Sequence, residues 1–151
     1  LAIRIFRGER TAERKMSSGT VQSFKDLLAD INERYAFYTF TDAANFMGFS
    51  EAYFSKFFKK IAGMTFSQYL NRVKVEEAVR LLRENKGLPV TEIAFRCGFN
   101  TIRNFNRIFK KVTGCTPRSL PKTYVPDEKF IYSVSGDFDP TSRETTLLTE
   151  H

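Results

Sequence analysis

GFNTIRNFNRIFKKVTGCTP, Gly98 to Pro117, is the stretch whose reading decides the fold. Phe105, Ile108, Phe109 and Val112 recur at spacings of three and four, the apolar stripe of one helix, while Arg103, Asn106, Arg107, Lys110 and Lys111 fall on the other side. A glycine turn comes before this helix, and Asn100 is suited to cap it. The stretch predicts an anchored helix with a basic, amide-bearing outer face.

The same plan occurs earlier. In GFSEAYFSKFFKKIAGMTF, Gly48 to Phe66, the stripe is Phe54, Phe57, Phe58 and Ile61, and the outer face carries Lys56, Lys59 and Lys60. Pairing Phe40–Phe49 with Val90–Phe99, and Phe54–Phe66 with Phe105–Pro117, leaves one extra residue in the second copy and gives ten identities in 23 pairs. The likeness extends into the preceding short helix and its glycine, which two unrelated amphipathic helices would not share. The chain therefore contains an internal repeat.

Around the repeat the periodicity predicts further helices. Val21, Phe24, Leu27, Leu28, Ile31 and Tyr35 form one stripe over Thr20–Arg34. Thr39, with Asp42 three residues on, caps a short helix that stops at Gly48, and Ser50 caps the next. Thr65 and Gln68 make a capping box for a long helix that runs to about Asn85. Pro89 then opens a second short helix with Ile93 and Ala94 inward, and Pro117 suits a short closing helix through Ser119 and Leu120. The fold class expected is all-α: two helix-turn-helix subdomains (39–63 and 89–114) joined by a linker helix (66–85), within a domain spanning 20–124. Residues 1–19 read as a linker or the end of an upstream element, with Leu1–Arg7 either a short strand or a frayed end. Residues 125–151 form an irregular tail with 2 basic and 6 acidic residues, in which KFIYSVSG, Lys129–Gly136, is the strand-like run. The chain starts with leucine, which points to a fragment of a longer protein.

Charge and composition narrow the function. Of the net charge of +7, residues 36–124 carry +9 and the flanks −2, so the basic charge belongs to the repeat and points to a polyanionic partner. Sixteen Phe and no Trp suggest a core filled by phenylalanine. Cys97 and Cys115 lack CxxC spacing and the single histidine is His151, which disfavours a zinc site and nucleophile pairs built on histidine. No GxSxG, GxxxxGK[ST] or GxGxxG occurs, so no enzyme activity and no cofactor is expected. Cys97 beside the turn glycine reads as a small buried thiol. Absence of a signal peptide and of an apolar run of membrane length fits a soluble cytoplasmic protein with no membrane partner.

Helix, glycine turn, helix is the pattern whose second member enters the major groove of DNA. Residues near the start of that second helix reach base edges, which in the first copy are Glu51, Ala52, Ser55 and Lys56, with Lys59 and Lys60 nearer the backbone. Ser50 and Tyr53 complete this DNA-facing set. Ala52 offers only apolar contact, and Glu51 either accepts a cytosine amino group or repels phosphate. In the second copy Arg103 suits bidentate contact with guanine, Asn106 a base or a phosphate, and Arg107 either, with Asn100, Thr101 and Lys110 beside them. Ile102 either touches a thymine methyl or covers the core. The linker helix, roughly 30 Å long, nearly matches the spacing of about 34 Å between successive major-groove faces, so both readers can engage one duplex.

Residues 36–124, 89 of the 151, resemble the DNA-binding domain of the AraC/XylS family of bacterial transcription regulators. The resemblance rests on GFSEAYFSKFFKKIAGMTFSQYLNRVKVEEAVRLL and above all on VTEIAFRCGFNTIRNFNRIFKKVTGCTP. It implies seven helices in two helix-turn-helix lobes that read adjacent major-groove segments of promoter DNA, usually activating transcription through contact with RNA polymerase. Carried over by position, the base-facing places are Ala52, Ser55 and Lys56, then Arg103, Asn106 and Arg107. Asn104 stands where family members commonly have an aromatic, and Ala52 has little hydrogen-bonding reach, so the lobes should be unequal, with specificity leaning on the second. The resemblance also implies a possible upstream effector-binding and dimerisation domain. Two other functions stand beside this one: a helical module binding an acidic protein such as a polymerase subunit, and a DNA-repair alkyl acceptor, for which neither cysteine has a suitably basic neighbourhood.

Overall fold

A computed structural model describes residues 18–126 of the chain. Among the described residues the elements are α1 (Ser18–Arg34), a 3-10 turn (Tyr35–Phe37), α2 (Phe40–Met47), α3 (Glu51–Ala62), α4 (Phe66–Glu84), α5 (Val90–Arg96) and α6 (Ile102–Thr113), with no strand. The strand-like runs Leu1–Arg7 and Lys129–Gly136, like most of the linker and acidic tail, lie outside the described residues. The helix expected from Thr20 begins at Ser18, a difference of the size usual at fraying helix ends.

Local chemistry accounts for the helix boundaries. Thr39 and Thr65 each close a capping box, the first with Asp42 and the second with Gln68, so the N-terminal amides of α2 and α4 are satisfied by side chains as their spacing predicted. The closing helix expected at Pro117 is a turn instead. There Thr116 and Ser119 exchange side-chain and backbone hydrogen bonds, among them Ser119 N–H to the Thr116 carbonyl at 3.1 Å, and these local bonds compete with helix propagation.

Two cores result, one per lobe. In lobe 1, α1 lays Phe24, Leu27, Leu28 and Ile31 against Ala43, Ala44, Phe54, Phe57, Phe58 and the first half of α4. Its rings meet mainly edge-on or tilted, as Phe40 does with Phe54 at 5.4 Å and Phe58 with Phe66 at 5.7 Å, the arrangement that ring quadrupoles favour. Lobe 2 packs Phe99, Phe105, Ile108 and Phe109 against Ile93, Ala94, Cys97 and the second half of α4. Its remaining side is covered by Leu120 and Tyr124, from a C-terminal segment that Arg83 holds by donating to the carbonyls of Pro121, Lys122 and Tyr124, at 3.2, 3.3 and 2.9 Å. Tyr124 in turn donates its hydroxyl to Glu76 at 2.8 Å.

Candidate nucleic-acid interface

The repeat is visible in the hydrogen bonds of the two turns. Gly48 and Gly98 both take positive φ, +73° and +93°, where a side chain would be strained. In lobe 1 the amides of Gly48 and Phe49 donate to the carbonyls of Asn45 and Ala44, and in lobe 2 those of Gly98 and Phe99 donate to Phe95 and Ala94, all at 3.0 Å. Each reader helix has 12 residues and ends at a left-handed glycine, Gly63 for α3 and Gly114 for α6.

The extra residue of the second copy lies between turn and helix. In lobe 1 the Ser50 hydroxyl accepts from the Tyr53 amide at 3.2 Å, as expected of a cap. In lobe 2 the cap is Thr101, whose hydroxyl accepts from the Asn104 amide at 3.1 Å, and not Asn100. The correction has a geometric cause: the turn after Gly98 is one residue longer than that after Gly48, which leaves Asn100 exposed one position short of the helix.

Anchoring fixes what each helix turns outward. Phe54 and Phe58 of α3 and Phe105 and Phe109 of α6 are fully buried, so the positions between them must project. Ala52, Ser55, Lys56 and Lys59 are exposed on α3, and Arg103, Asn106, Arg107 and Lys110 at the matching places of α6. At about 100° per residue each set lies within roughly a third of its helix circumference. Each therefore forms one face that a groove can receive.

Other residues of the expected set fall differently. Tyr53 is half-buried with its ring 4.8 Å from Phe49 and 6.2 Å from Phe57, so it buttresses the start of α3. Ile102 is half-buried and packs against the lobe 2 core. Glu51 is exposed and accepts from the Thr41 hydroxyl at 2.7 Å, an attachment to α2 across ten residues that no helical spacing could reveal. Arg107 donates to the Asn104 amide oxygen at 2.7 Å, a pair three residues apart on one helix that spacing alone could have found.

The electrostatics separate reader faces from scaffold. Among the described residues the ion pairs fall on α1, α4 and α5: Arg34 with Asp30, Arg80 with Glu77 and Glu84, and Arg96 with Glu92. The bases on the outer faces of α3 and α6 enter none of them. A polyanion would meet positive charge that no ion pair among the described residues already neutralises. Burial pushes the Cys97 thiol up to about 12, with Glu77 adding to the shift, so this cysteine is not a nucleophile at neutral pH. Among the described residues no cluster of three or more metal-ligating side chains occurs, and no helix is long and apolar enough to cross a membrane.

Comparisons with known proteins agree with this geometry. A family profile described as a helix-turn-helix domain matches residues 43–123, from α2 to the C-terminal segment. The chain is 44% identical over 61 residues to the HTH-type transcriptional activator RhaR of Cronobacter sakazakii, a match over 40% of this chain and 21% of that protein. With the uncharacterized HTH-type transcriptional regulator YobQ of Bacillus subtilis it shares 30% identity over 115 residues, 76% of this chain and 46% of the relative. The chain thus spans less than half the length of these relatives. Among solved structures, the C-terminal domain of AraT, a response regulator from Geobacillus stearothermophilus, superposes with a TM-score of 0.57 at 27% identity over 76% of this chain and 93% of that one.

Proposed function

The chain belongs to the AraC/XylS-type helix-turn-helix family, a family of transcription regulators and not of enzymes, and on that premise we propose that it reads promoter DNA sequence-specifically through α3 and α6 together. The observation that carries this reading is the pair of matched, anchored helices whose outer faces hold bases outside the ion pairs of the described residues. On this reading Lys59 and Lys110 neutralise phosphates, while Arg103, Asn106 and Arg107 on α6 and Ser55 and Lys56 on α3 meet base edges. Arg103 holds the place of strongest discrimination, since a guanidinium can donate two parallel bonds to guanine where Ala52, its counterpart, donates none. That RhaR is a transcriptional activator favours activation over repression; action in the cytoplasm through contact with RNA polymerase completes the proposal.

Selection from a random duplex library, followed by titration of the winning site at two salt concentrations, tests the proposal. The expected result is a motif in two blocks about one helical turn apart, with affinity falling roughly a thousandfold between 50 and 200 mM salt if about six phosphates are neutralised. Recovery of no motif, with equal affinity for selected and scrambled duplexes, would contradict it and leave the basic faces to an acidic protein partner.

A further inference from the structure

Two helix-turn-helix lobes sharing one long helix are not thereby held at a fixed angle. α4 gives Phe66, Tyr69, Leu70 and Val73 to the first core and Val75, Ala78, Val79 and Leu81 to the second, so its allegiance changes at Lys74. Long helices bend, and a bend here would swing one reader against the other. Something besides α4 has to lock the lobes if both are to meet one duplex in register.

The structure places three further connections at this level. The first joins backbone to backbone: a Cβ built on Gly98, in the lobe 2 turn, would lie 2.3 Å from the carbonyl oxygen of Ala36 and 2.9 Å from its carbonyl carbon and Cα. Ala36 sits in the 3-10 turn that leaves α1, and that turn is pinned on both sides. Asp30 receives Arg34 at 3.0 and 2.7 Å before the turn and the Tyr38 hydroxyl at 2.6 Å after it. Second, Tyr35 packs against both cores. Third, the Lys74 ammonium reaches the Gly98 carbonyl at 3.3 Å and lies 5.4 Å from the centroid of the Phe99 ring. Burial lowers the pKa of this lysine, the sign of an ammonium drawn out of water to make that contact. Gly48, the matching glycine of lobe 1, has nothing within 4 Å of the same built atom.

We propose that Tyr35, Ala36, Lys74 and Gly98 form an interlobe joint that sets the angle and separation of α3 and α6, making Lys74 and Gly98 positioning residues for two-block recognition. The glycine at 98 serves two ends: it supplies the positive φ of the turn and lets the Ala36 backbone approach. The consequence for recognition rests on the proposed reading of DNA by both helices. A joint of this kind rejects duplexes whose blocks are displaced by one base pair, since that displacement rotates the second groove by about 34°.

The test uses spin labels at Lys60→Cys and Lys111→Cys, exposed in the last turns of the two readers, in a chain carrying Cys115→Ser, with native Cys97 buried. Double electron–electron resonance without DNA compares this parent with Gly98→Ala, Lys74→Met and, as control, Gly48→Ala, each checked by helical circular dichroism. Gly98→Ala and Lys74→Met should give an interlobe distance distribution about twofold broader, while Gly48→Ala, which shares only the backbone strain, leaves its width unchanged. On two-block duplexes the parent should lose about tenfold in affinity when the spacing changes by one base pair, and the joint variants about threefold or less. Unchanged widths in folded Lys74→Met, or equal broadening in Gly48→Ala, would overturn the joint. A parent that prefers no duplex, but whose distribution broadens in the joint variants, would overturn the DNA reading and leave the joint standing.

Discussion

Two residues separate Gly48 from the reader helix of lobe 1 and three separate Gly98 from that of lobe 2, yet both turns close with the same pair of hydrogen bonds and both helices end on a left-handed glycine. Below the surface the lobes agree: Ala44 matches Ala94, Phe54 matches Phe105 and Phe58 matches Phe109, all at most 1% exposed. On the outer face they part. Where α3 carries Ala52, Ser55 and Lys56, α6 carries Arg103, Asn106 and Arg107, and only α3 holds a carboxylate, Glu51, in its first turn. Duplicated scaffolds keep what packs and caps, and diverge where side chains have no neighbour to satisfy.

The agreement below the surface can be broken first, with the largest effects. Phe54→Ala and Phe105→Ala should each cost about 3–5 kcal/mol, measured by urea denaturation, because each removes a fully buried ring from a filled core. If one were nearly silent, the lobes would not be packed alike.

The two turn glycines should differ next. Gly48→Ala meets open space and should cost about 1 kcal/mol for its left-handed backbone. Gly98→Ala adds a collision with the Ala36 backbone and should cost about 2 kcal/mol more. Equal losses in thermal melts would remove the asymmetry.

On DNA the outer faces should separate by kind of loss. Arg103→Ala is expected to lower discrimination at one position of the second block by about 1–3 kcal/mol, read from competition between duplexes. Lys59→Ala should weaken all duplexes alike and reduce the slope of log affinity against log salt by about one.

The smallest effect is one the lobes share. Burial pushes Tyr35 up to about 12 and raises Tyr38 and Tyr69 in lobe 1 and Tyr124 in lobe 2. Raised folded values mean that these phenols contribute their full stability below their unfolded value, near pH 10, and lose it as pH rises through the folded one. The urea midpoint should therefore hold to about pH 9 and fall above pH 10, with both lobes softening together.

How much of this could be read from residues alone depended on distance along the chain. Periodicity exposed the stripes of α3 and α6, and Thr39, Ser50 and Thr65 announced their caps because cap and amide are three residues apart. The second cap was misplaced by one residue, since Asn100 and Thr101 are both capping types and only the turn geometry chooses between them. Nothing local marks Thr41 as the partner of Glu51, or Lys74 as the partner of the Gly98 carbonyl 24 residues away. Ile102 has two readings, and Tyr53 reads as DNA-facing, for a related reason: both lie at the edge of an amphipathic stripe, where neighbouring elements decide whether a side chain is covered.

Unequal reading by equal scaffolds is tested most directly by silencing each outer face in turn. Arg103→Ala with Asn106→Ala, and separately Ser55→Ala with Lys56→Ala, would each be put through selection from the same random duplex library. The account predicts that the first pair erases the second block of the recovered motif, while the second pair weakens the first block without erasing it and lowers affinity overall. Loss of the first block alone in the second pair, as complete as the loss of the second block in the first, would contradict it.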